Sequence, residues 1–162
     1  MNKYTIVNTI LIVAYKSNIF SAKEVVDHID KMIQMNEDFP YEYIDISLIG
    51  DKSLHVLESK LSELEHFENS HSITDALLGL IAYKYNNDLF DFERALKCST
   101  RLIITTDLYE EEKYYNLYIL DDCYDLAKSG IFGNIQEAKV RFEEEIVSFG
   151  NYYEEYLKMI GN

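Results

Sequence analysis

A chain of 162 residues, 48% apolar and 27% charged, is long enough to bury its own core and too apolar to stay disordered. Its 29 Asp and Glu against 15 Lys and Arg give a net charge of -14, which repels phosphate backbones and anionic lipid and so disfavours nucleic-acid and membrane-surface binding. One proline and six glycines leave too few breakers for a sandwich or barrel, so an all-α chain is expected.

The first segment, Tyr4 to Tyr15, is rich in Ile, Val and Thr, yet the spacing of Ile6, Ile10, Val13 and Ala14 suits a buried helix better than a strand. Its longest apolar run, Ile10 to Tyr15, falls far short of the roughly 20 residues that span a bilayer, and no signal-peptide pattern surrounds it. Ser21 and Glu24 form a capping box, and Val25, Val26, Ile29, Met32 and Ile33 carry the helix behind it to about Asn36. The stretch Tyr41 to Ile49 reads as a helix stopped by Gly50, with a short strand as the alternative. Ser53 caps an amphipathic helix with the stripe Val56, Leu57, Leu61 and Leu64, which ends at the polar stretch Asn69 to Ser72.

Thr74 and Asp75 open the next helix, Ala76 to Tyr85, which is apolar on nearly all sides and therefore expected at the centre. After the turn Asn86 to Asp88, a helix runs from Phe90 through Ala95, Leu96, Leu102 and Ile103 to Thr106, and Asp107 is placed to cap its successor. Leu108 to Lys128 is the longest clean helix, closed by Gly130. The last runs from Asn134 almost to the terminus on the stripe Ile135, Ala138, Phe142, Ile146, Phe149, Tyr153, Leu157 and Ile160, with a bend at Gly150. No linker, low-complexity tract or fixed-period repeat interrupts the chain. The expectation is a single domain, 1–162, forming a compact bundle of about seven helices.

Motifs for chemistry are missing. There is no Gly-x-Ser-x-Gly elbow, phosphate-binding glycine loop or dinucleotide fingerprint, so no catalytic or cofactor-binding residue is named. Asp121, Asp122 and Asp125 lack the loop spacing of a calcium site, and His66 with His71 lacks that of a zinc protease, so no metal is expected. Cys98 and Cys123 are too few for a disulfide framework and fit a reducing cytoplasm.

What remains is surface. A 100° wheel of the Leu108 to Lys128 helix puts Leu108, Tyr115, Ile119, Leu120, Cys123, Leu126 and Ala127 on a core side. The other side then carries Glu110, Glu111, Tyr114, Tyr118, Asp121, Asp122 and Asp125, in which carboxylates would steer a basic partner and tyrosine rings supply contact area. Glu143 to Glu145, and Glu154 with Glu155 beside Tyr152 and Tyr156, repeat that chemistry on the last helix.

In size, charge and this acidic, aromatic helix face, continued through Asp121 to Gly133, the chain resembles the small acidic helical immunity proteins of bacterial toxin and immunity systems. The resemblance implies a cytoplasmic inhibitor that occludes a basic partner such as a cognate toxin. Two other classes stand beside it: a helical adaptor or regulatory subunit acting through an apolar or homo-oligomeric interface, and an enzyme with an unrecognised helical site.

Overall fold

The computed structural model describes residues 3–50, 53–68 and 70–161; Asn69, at the head of the polar stretch named above, lies outside them. All regular structure among the described residues is helical. Nine α-helices, two more than expected, follow one another: α1 Thr5–Lys16, α2 Ala22–Met35, α3 Glu42–Ile49, α4 Leu54–Glu63, α5 His71–Asn86, α6 Phe92–Thr105, α7 Glu112–Lys128, α8 Ile135–Val147 and α9 Tyr153–Ile160. One extra helix arises because the terminal stripe breaks into α8, a single 3-10 turn at Gly150–Tyr152, and α9, and the other is α3. The ambiguous stretch 41–49 is helix. The chain divides into two compact units, Met1–Glu68 and Asn69–Asn162.

In the first unit α1 is buried along nearly its whole length, so its polar groups must find partners inside. Asn8 accepts from the Tyr43 hydroxyl at 2.6 Å and donates to the Glu65 carbonyl at 3.0 Å, while Thr9 Oγ1 accepts from the Phe67 amide at 2.9 Å. The capping box of α2 is present, with the Ser21 amide donating to Glu24 at 2.7 Å and the Glu24 amide donating to Ser21 at 3.2 Å.

In the second unit α5 to α8 follow as successive antiparallel neighbours around an aromatic centre. Phe92 of α6 meets Phe142 of α8 and Tyr124 of α7 edge-on at 5.6 and 5.3 Å, and Tyr85 of α5 meets Phe142 at 5.6 Å. α5 is buried from Ile73 to Ala82, as its all-round apolarity requires, but it opens at a Ser70 cap rather than at Thr74. α9 folds back onto α5, where the two backbones touch at Gly79.

Four helices stop in one way. A residue in the left-handed region, Asn18, Asp88, Asp107 or Gly130, follows the helix, and the amide after it bonds a carbonyl five residues back. This is the Schellman arrangement, in which a short polar residue or glycine takes the positive φ at least cost. Asp107 is therefore the stop of α6, and the N-cap of α7 is Glu111.

Candidate interaction face

α7 carries most of the residues that the sequence assigned to an interaction face. Its buried residues are Tyr114, Leu117, Leu120 and Tyr124, spaced three, three and four apart as one face of a helix requires. The core side is thus turned by about 140° on the helical wheel from the side that aliphatic content alone selects.

The predicted face consequently splits. Tyr114 is fully buried: its hydroxyl donates to Asp75 Oδ1 at 2.8 Å, and its ring stacks on Phe149. Asp75 also accepts from Lys113 Nζ at 2.6 Å, and Lys113 reaches the Tyr152 hydroxyl at 3.2 Å. Burial and then the Asp75 carboxylate raise the Tyr114 phenol well above the usual tyrosine value. Although burial works against its charge, Asp75 and Tyr152 hold the Lys113 ammonium above the ordinary lysine value. Asp121 and Asp125 face α6, where Lys97 Nζ lies 2.5 and 2.9 Å from them. Lys128 continues this seam to Glu93 of α6 at 3.0 Å, and Glu93 also accepts from the Tyr124 hydroxyl at 3.2 Å. Lys128 holds the Glu93 carboxyl below its usual value. Glu111 is engaged by His71 Nε2 at 2.8 Å.

Tyr118 and Asp122 lie on an outward arc of α7, Asp122 exposed and Tyr118 half-buried against Tyr109, whereas Glu110 falls in the turn before the N-cap Glu111 and so is not on the helix face where the sequence put it. The rest of that arc consists of residues assigned from sequence to the core: Tyr115, 50% exposed, with Ile119 and Leu126. The arc runs into the α7–α8 turn, where Ile131 and Phe132 are exposed. One signal pointed the other way, namely Leu117, which with Leu120 and Tyr124 continues the three-and-four spacing of the true core.

The remaining acidic clusters are partly engaged. Glu143 accepts from the Tyr85 hydroxyl at 2.6 Å, Glu155 pairs with Lys158 at 2.8 Å, and Tyr156 is buried. Burial and Glu143 push the Tyr85 phenol up to about 12. An open depression of about 310 Å³ lies along α8 between Gln136, Val140, Arg141 and Glu144, and one of about 370 Å³ in the first unit between Lys16, His55, Glu58 and Ser62. Among the described residues no group of three His, Cys, Asp or Glu is placed to hold a metal, and no helix is long and apolar enough to cross a membrane.

No protein-family model matches this chain, and neither a curated protein nor a solved structure does.

Proposed function

We propose that the chain is a protein-binding module that occludes a basic partner, in the manner of an immunity protein on its toxin, through the outward arc of α7. The observation that carries this reading is the two-sidedness of α7. A helix on the outside of a bundle needs one apolar face, and α7 has a second one, Tyr115, Ile119 and Leu126, pointing away from the first. Charge gives that arc its choice of partner, because residues 69–162 hold 17 Asp and Glu against nine Lys and Arg. Carboxylates at Asp122 on the arc and at Glu110 in the turn before α7 would speed the approach of a basic surface, and the rings and aliphatic chains would hold it. Cys98 and Cys123 are not joined in a disulfide, which suits a cytoplasmic inhibitor.

The same apolar arc supports one second reading, an adaptor that pairs with its own kind. Immobilised chain exposed to source-cell lysate at low and high salt separates the two. A stoichiometric basic protein should be retained at low salt, released at high salt, and lost with Tyr115→Ser and Ile119→Ser combined. Retention unaffected by those substitutions would remove the arc from the interface. Concentration-dependent dimerisation of the purified chain would favour the second reading.

A further inference from the structure

The α7–α8 turn differs from its two counterparts in one respect. In the hairpins α1–α2 and α5–α6 the left-handed residue is followed by an aliphatic residue, a phenylalanine and then at once the N-cap: Ile19, Phe20 and Ser21 in the first, Leu89, Phe90 and Asp91 in the second. Phe20 and Phe90 are 7% and 4% exposed, folded against their own hairpins. The third turn repeats the pair as Ile131 and Phe132 but inserts Gly133, at φ 83°, before the N-cap Asn134. With that residue added, Phe132 is 77% exposed and Ile131 74%.

These side chains stand on a well-tied backbone. The amides of Ile131 and Phe132 both donate to the Leu126 carbonyl, at 3.0 and 3.3 Å, and Asn134 accepts from the amides of Gln136 and Glu137. A fixed turn presenting two large apolar side chains loses little conformational freedom on docking, which is how an anchor gains affinity. Leu126 and Ile135 border the pair with further exposed apolar surface; Asp122 stands one turn before Leu126 on α7 and Glu137 in the first turn of α8, so each helix carries a carboxylate.

We infer that the Ile131–Phe132 tip is a plug that enters an apolar socket rimmed by Lys or Arg on the basic partner. This rests on the function proposed above and adds which residues anchor it. The charge decides the occupant: a second copy would bring another -14 to a tip already flanked by carboxylates, whereas a basic rim is complementary to them.

The test replaces Phe132, Tyr118 or Leu89 with the photo-crosslinker p-benzoylphenylalanine in the full chain, irradiates the source cells and identifies adducts by mass spectrometry. Leu89 is the exposed residue of the matching hairpin and serves as the control. The expected result is one basic protein joined at 132 and not at 89, with the adduct suppressed in high-salt lysate. Purified, that protein should bind Phe132→Ala about thirtyfold more weakly than the unaltered chain, while the variant's thermal unfolding is unchanged. Adducts at 118 with none at 132 would refute the plug and leave the α7 arc standing. An adduct with a second copy at 132, or equal adducts at 132 and 89, would refute the plug. Absence of adducts at both 118 and 132 would overturn it together with the reading beneath it.

Discussion

Gly79→Ala in the middle of α5 should destabilise the protein, although helix propensity alone predicts the reverse. In an ordinary helix interior the change gains about 1 kcal/mol, because alanine restricts the unfolded chain more than glycine. Here a β-carbon would stand 2.4 Å from the Tyr153 amide nitrogen, 2.6 Å from the Tyr152 carbonyl carbon and 3.1 Å from the Phe149 carbonyl oxygen. These are backbone atoms, so no rotamer change relieves the clash, and the start of α9 must retreat by roughly 1 Å to reach ordinary contact. Such overpacking costs about 1–3 kcal/mol. The retreat also pulls Tyr153 from its stack on Tyr83, now 4.0 Å between centroids, a pairing worth about 0.5–1.5 kcal/mol. Set against the propensity gain, the net loss is about 2 kcal/mol, or about 4–8 °C in the melting midpoint of a chain this long. Thermal and urea unfolding followed by circular dichroism measure it. Gly150→Ala is the control, since nothing lies within 4 Å of a β-carbon there. A midpoint for Gly79→Ala equal to or above that of the unaltered chain would show that α9 does not press on α5 at this point.

Tyr114→Phe should cost about 1–3 kcal/mol by urea unfolding, because Asp75, largely buried, loses the donor at Oδ1 and keeps only Lys113. Stability should fall as pH rises past 10. Tyr85 has its folded value raised to about 12, so below 10 its contribution is complete, and between 10 and 12 the unfolded chain loses protons that the folded one keeps. Melts between pH 9 and 12 should show a shallower fall for Tyr85→Phe than for the unaltered chain. Asp122→Lys should leave the melting midpoint within about 2 °C and weaken partner capture, while Asp121→Lys should lower the midpoint by setting two ammonium groups against each other at the α6–α7 seam. Deleting Gly133 restores the spacing of the other two hairpins, so Phe132 should become protected from solvent, as collisional quenching of a Phe132→Trp reporter would reveal, and partner binding should fall with no loss of thermal stability.

Helix positions were legible where local chemistry decides them. The Ser21–Glu24 box, the stop at Gly50 and the burial of α5 all follow from short-range pattern and are present. What failed was long-range. Asp107 has the composition of an N-cap, but the same short polar side chain also tolerates positive φ, and which role it takes depends on how α6 meets the next turn. The terminal stripe was continuous in sequence, yet the approach of the 149–153 backbone to Gly79 breaks it into two helices and a 3-10 turn. The core side of α7 was misread because it is built from tyrosines. Tyr114 and Tyr124 enter the interior only because Asp75 and Glu93, on other helices, accept their hydroxyls, and no window of local sequence contains those partners.

That misreading locates the unusual property of the chain. A helix whose polar arc had been the outward one would be read correctly from composition, since the apolar side would be the buried side. α7 defeats the rule because two of its hydroxyl-bearing rings, Tyr114 and Tyr124, are inside while Leu126 is exposed and Ile119 only half-buried on the opposite side. An exposed apolar arc ordinarily invites self-association. Here every second copy that approached would carry the same net charge of -14, so mutual repulsion opposes that contact while the same field draws in a basic surface. On the function proposed above, the acidity and the exposed arc would act as one device: the first would select the sign of the partner and suppress the self-pairing that the second would otherwise cause. It follows that raising salt should weaken hetero-association and strengthen self-association of the purified chain, two opposite trends that light scattering reads in a single titration.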